Sequence, residues 1–158
     1  MPSAGALNKI FGSLLTLQFV VVVLHDWLNI PGWTHGRQVQ QVIGRGKLMV
    51  ATLINAVFPG VAVFFALYFW NRPKPALVTN YWLLYCAVTV GSAVVMWYVP
   101  YFRGAAEKTC QDYARMYAGT RQVLPAHNNN PRPNLLHICF HLLFLVNLGL
   151  ALIVGMGR

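Results

Sequence analysis

The stretch Asn130–Phe144, NPRPNLLHICFHLLF, carries the chain out of a polar loop into a hydrophobic run that continues to Met156. From Leu135 to Met156 that run contains no Asp, Glu, Lys or Arg. A helix of this length, at about 1.5 Å per residue, crosses the roughly 30 Å hydrocarbon core of a bilayer. Asn134 stands where an N-cap belongs. His137 and His141 lie four residues apart, so both rings share one face of the helix. Ionisable groups in a membrane helix turn towards protein or water rather than lipid. This span therefore needs partner helices.

Three further runs supply them: Ile10–Ile30, Leu48–Trp70 and Tyr81–Tyr101. The sequence predicts an all-α integral membrane four-helix bundle, one transmembrane domain over residues 1–158, with spans at 10–30, 48–70, 81–101 and 135–156. Composition agrees. The chain is 57% hydrophobic and 9% charged, with a mean hydropathy of +0.51, whereas soluble domains carry about 25% charged residues. The net charge of +9 does not point to nucleic acid. Its cations stand at the ends of hydrophobic runs, not in a basic patch interleaved with aromatics, and suit anionic lipid headgroups. Cys86, Cys110 and Cys139 form no CxxC pair, which argues against a vicinal-thiol redox site and a structural zinc site.

Pro31-Gly32 is expected to end the first helix, and Thr34–Lys47 to form a basic interfacial approach to the second. Pro59-Gly60 is expected to kink the second span. Asn71–Pro75 is short and stiff, making spans two and three antiparallel neighbours. In span three, Ala87, Thr89, Gly91, Ser92 and Ala93 are small enough for close helix contact. Within the polar loop 103–134, Ala106, Cys110, Tyr113 and Tyr117 recur at helical spacing. They predict a short amphipathic surface helix near 104–118 between spans three and four.

Depth along these spans selects candidate residues. His25, Asp26, Asn55, Tyr98, Tyr101, His137 and His141 all fall in the half of the membrane that the polar loop covers, while the opposite half is nearly featureless. Gln18, His25 and Asn29, spaced seven and four apart, are expected to share a polar stripe on span one. Three readings compete. The polar groups are structural hydrogen-bonding partners between helices; they line a pocket for a lipid, quinone or other amphiphile; or His25, His137 and His141 ligate a metal or a haem.

The runs WYVPYFRG at Trp97–Gly104, YAGTRQVLP at Tyr117–Pro125 and PNLLHICFH at Pro133–His141 resemble a pattern in small bacterial four-span membrane proteins of unassigned function. The resemblance covers the C-terminal third and implies the bacterial cytoplasmic membrane but no activity. Lys9, Arg72, Lys74 and Arg158 lie on one side of the predicted bundle, and the other eight cations on the side of loop 103–134. The positive-inside rule then makes that loop cytoplasmic and leaves both termini outside. The expected function is that of a small structural or accessory subunit of a larger membrane complex, or a binder of an amphiphile. The alternative is a membrane enzyme or electron-transfer protein built on a His-lined metal or haem site.

Overall fold

Long apolar runs form helices here, and proline and glycine mark where they stop. The computed structural model describes residues 4–156. In chain order its elements are α1 (Ala4–Leu24), the strands β1 (Asn29–Ile30) and β2 (Thr34–His35), α2 (Gly36–Ile43) and α3 (Arg45–Tyr68). After these come α4 (Ala76–Ala93), a π-helical turn (Val94–Tyr98), α5 (Val99–Arg103), α6 (Glu107–Met116) and α7 (Leu135–Met156). Four helical stretches are long and apolar enough to cross a membrane: Gly5–Leu24, Arg45–Tyr68, Ala76–Arg103 and Leu135–Met156.

Helix α1 packs against α3 and α7, and α4 packs against α7 and α3. Where the four meet, Phe11, Leu15, Ala62, Ala66, Trp82, Cys86 and Ala151 form one buried apolar cluster. Trp82 is 1% exposed. Its ring meets Phe11 edge to face at 5.3 Å, and its indole N–H donates to the Ala62 carbonyl at 3.1 Å. The Tyr81 hydroxyl donates to the Phe58 carbonyl at 2.8 Å. Those two carbonyls stand either side of Pro59, and α3 continues through that proline to Tyr68. The outer faces carry exposed Leu53, Ile54, Phe58, Phe64, Leu77 and Leu84. Apolar surface on this scale needs a non-aqueous neighbour.

Several expectations change. The first helix stops at Leu24, not Ile30, so two short strands enter a fold expected to be all-α. Pro31 and Gly32 (φ +76°) occupy the centre of a tight turn closed by the Trp33 N–H on the Ile30 carbonyl at 2.9 Å, the type II arrangement that proline and glycine favour. Thr34 reinforces it. Its hydroxyl accepts from the Ile30 N–H and donates to the Leu28 carbonyl, competing with helix for the local backbone groups. The polar stripe Gln18–His25–Asn29 is therefore not formed: His25 lies past the helix end and Asn29 is an exposed strand residue.

The approach to the second span contains its own helix, α2, whose Val39 packs with Leu48 and Met116. Gly36 opens it at a close approach. A Cβ there would sit 2.6 Å from the Trp27 carbonyl carbon. In the third span Ala87, Gly91 and Ser92 face outward and only Ala93 of the small residues is buried, so this stripe does not serve contacts inside the chain. The surface helix appears at Glu107–Met116, inside the expected 104–118.

Candidate ligand groove and histidine cluster

Pro100 has no N–H, and its ring would crowd the preceding turn of an α-helix. The chain widens just before it into the π-helical turn Val94–Tyr98, where the Val99 N–H reaches back to the Val94 carbonyl. This turn carries Trp97 and Tyr98, and both face α7. The Trp97 ring lies over His137 with centroids 4.0 Å apart and meets His141 at 6.2 Å. The Tyr98 hydroxyl is 3.1 Å from His141 Nδ1. π-Helical turns of this kind recur at functional sites.

Asn134 caps α7 and orients His137 in one stroke. Its Oδ1 accepts from the His137 backbone N–H at 3.1 Å and lies 2.8 Å from His137 Nδ1, while its Nδ2 donates to the Trp33 carbonyl. The donor on Nδ2 identifies Oδ1 as the acceptor, so His137 Nδ1 carries the proton. His25 extends the cluster. Its ring meets His137 at 5.7 Å and Phe140 at 5.5 Å, both edge to face. Its Nδ1 lies 3.1 Å from the carbonyls of Val21 and Val22, and these acceptors place a proton on Nδ1 too. Its Nε2 is 3.3 Å from Asp26 Oδ1. Burial raises the Asp26 carboxyl above its ordinary value, and His25 lowers it by less. Tyr113, edge to face with Trp97, and Tyr117, tilted against it, are pushed up by burial and by the charge of Asp26.

The structure therefore brings His25, Asp26, Tyr98, His137 and His141 into one cluster. Two expected members stand apart. Asn55 is exposed on α3 and bonds to none of the histidines. Tyr101 is buried but works on the loop: its hydroxyl donates to the Pro125 carbonyl at 3.1 Å, and its carbonyl accepts from Asn130 Nδ2 at 2.9 Å.

A metal triad on His25, His137 and His141 does not fit this geometry. His25 meets His137 edge to face, His137 and His141 are tilted with centroids 6.3 Å apart, and the Nδ1 atoms are engaged by Val21, Asn134 and Tyr98. Among the described residues no group of three or more His, Cys, Asp or Glu side chains is placed to hold a metal ion. The cavity beside them, walled by His25, Asp26, Trp33, His35, Tyr117 and His137, has a volume of about 10 Å³. That is room for roughly one water and none for a haem.

The large space lies on the other side of Tyr117. A groove of about 710 Å³ opens between α6 and loop residues 118–132. Tyr113, Tyr117, Gln111, Gln122, Asn129 and Arg132 are among its lining residues. The loop is held in shape by the hairpin and α7. The Arg121 N–H donates to the Gly32 carbonyl, and the Leu135 N–H to the Arg121 carbonyl, both at 2.8 Å. Gln122 bridges to Asn134 as a single antiparallel pair. Sequence reasoning missed this groove, although a signal for it exists. Tyr113 and Tyr117 lie on the apolar side of the predicted surface helix, a side that an amphipathic pattern alone assigns to the membrane.

Gln18, expected to face the bundle, does so, but its partners Tyr85 and Asn147 were not singled out in the sequence. Gln18, 1% exposed, accepts from Asn147 Nδ2 at 2.6 Å and donates to the Tyr85 hydroxyl at 2.5 Å, tying α1, α4 and α7 together midway along their lengths. No protein-family model, curated protein or solved structure matches the chain.

Proposed function

We propose that this chain is an integral protein of the bacterial cytoplasmic membrane that binds an amphiphile, a lipid or quinone-like molecule, by its polar head. Loop 103–134 lies on the cytoplasmic side with both termini outside, the arrangement that eight cations against four favour. Its likeness to small bacterial four-span membrane proteins belongs to the same proposal. The observation that carries the reading is the groove of about 710 Å³, within the roughly 300–1,000 Å³ of ordinary ligand sites. It opens at the looped end of the four apolar helices, where a headgroup sits while its tails stay in lipid. Arg103, Lys108, Arg115 and Arg121 elsewhere in the loop favour an anionic leaflet.

The test is native mass spectrometry and lipid extraction of the full chain purified in mild detergent. One amphiphile retained per chain, and lost on Tyr113→Ala, is the expected result. A chain that emerges free of any amphiphile, from several detergents, ends the proposal. An absorbance spectrum and elemental analysis of the same sample test the metal or haem alternative, which predicts a bound chromophore or stoichiometric metal.

A second reading, an accessory subunit of a larger membrane complex, has one observation in its favour. Ala87, Gly91 and Ser92 face outward, and nothing lies within 4 Å of the Gly91 Cβ position. Small residues on an outer face let another membrane helix approach closely. Co-purification of a larger subunit in stoichiometric amount, abolished by Gly91→Leu, is its test.

A further inference from the structure

The groove's chemistry narrows the class of head that fits it. Its lining includes five neutral amides, Gln111, Gln122, Asn128, Asn129 and Asn130, against a single cation, Arg132, and a single carboxylate, Glu107. Arg132 is partly committed, with Nη1 donating to the Leu124 carbonyl at 3.3 Å, and Glu107 accepts from Gln111. A head bearing several phosphates would find its charge uncompensated here. An amide side chain presents a carbonyl acceptor beside an NH₂ donor. A hydroxyl group is likewise donor and acceptor at one atom. Amides thus match adjacent hydroxyls better than they match a charged group.

Two further observations point the same way. Gln122 Oε1 is buried with no hydrogen-bond partner, while its Nε2 is taken by Thr120. The unfilled position is an acceptor shielded from the groove, so a ligand O–H or N–H pairs with it once the Gln122 side chain turns outward. The side chains of Asn128 and Asn129 make no hydrogen bond among the described residues, and Asn128 holds a positive φ of 50° at the loop's turn. Opposite them Tyr113 and Tyr117 offer aromatic surface, whose negative face attracts polarised C–H edges.

We infer that the groove between α6 and the 118–132 loop binds a polyhydroxylated, sugar-like head through its neutral amides and two tyrosines. This rests on the amphiphile reading above for its lipid source. The same chemistry in a free sugar would satisfy the same groups.

The experiment uses the full chain in phosphatidylcholine nanodiscs doped with glucosyl-diacylglycerol or with phosphatidic acid of identical acyl chains, and separately with maltose in solution. Native mass spectrometry reads retention. The glycolipid is expected to be retained about tenfold over phosphatidic acid, and Gln122→Ala to reduce that retention by about tenfold, the equivalent of roughly one to two hydrogen bonds. Where Gln122→Ala alters folding, Asn129→Ala, in the exposed loop, repeats the test with a loss in the same direction. Equal retention of phosphatidic acid overturns the hydroxyl inference and leaves the amphiphile reading standing. Retention of maltose but not the glycolipid upholds the hydroxyl chemistry and overturns the lipid source. Retention of none of the three overturns both.

Discussion

The two halves of the bundle are built on different physics. In the half away from the loop, Phe11, Leu15, Ala62, Trp82 and Ala151 pack into an apolar cluster that holds no histidine and no carboxylate. Such a core is held by shape and dispersion. In the looped half the same helices end in Trp97, Tyr98, His137 and His141, joined by His25, Asp26 and Tyr117 from outside the spans. Polar groups there are oriented by specific hydrogen bonds and surrounded by aromatic rings. The Gln18–Tyr85–Asn147 network marks the border between them. One half is organised by apolar packing, and the other by oriented polar and aromatic side chains.

The comparison breaks most readily at Trp82. Trp82→Ala removes the largest side chain of the apolar core and its bond to Ala62, and is expected to cost about 3–5 kcal/mol, read by denaturant or thermal unfolding in detergent. An equal loss from Asn129→Ala, in the exposed loop, would erase the distinction between the halves. Next comes Gly36→Ala. A Cβ 2.6 Å from backbone that cannot yield forces the hairpin and α2 apart. Overpacking of this kind costs about 1–3 kcal/mol, and Trp27, whose indole donates to Thr52, should report the shift by fluorescence. Unchanged emission and stability would show the hairpin to be loose rather than part of the looped half.

The smallest effect concerns pH. Because burial raises the Asp26 carboxyl, the folded chain holds a proton that the unfolded chain releases above its ordinary pKa of about 3.9. Stability from this group is fully present below that pH, declines as pH rises through the raised value, and levels off above it. Melting temperatures measured across that range should show the decline, and Asp26→Asn should flatten it. A slope of the opposite sign would mean that the His25 pairing outweighs burial.

The apolar half is legible in the sequence. Its helices follow from apolar runs that are long enough to cross a bilayer, and a backbone in such surroundings satisfies its own hydrogen bonds as helix. Asn134 as the cap of α7 follows from its place before such a run, as do His137 and His141 on one face. The looped half is legible only in part. Depth groups His25, Tyr98, His137 and His141, because depth is a one-dimensional quantity that span boundaries supply. It misplaces Asn55 and Tyr101, because facing depends on each helix's rotation, which boundaries do not contain. It also runs span one past Leu24, where Pro31-Gly32 and Thr34 pull the preceding residues into a hairpin.

What the sequence determined by itself is therefore the number of apolar helices, the location of the polar loop, and which end of the bundle carries its ionisable groups. Only the tertiary structure decided that the His25 ring meets His137, that a π-helical turn before Pro100 lays Trp97 over His137, and that α6 stands off the loop to leave a groove. They depend on contacts between separate segments, some more than a hundred positions apart, such as Asn134 with Trp33 and Gln18 with Asn147. Hydrophobic periodicity and length act within one segment. Hydrogen bonds of this kind form only after the segments have been brought together.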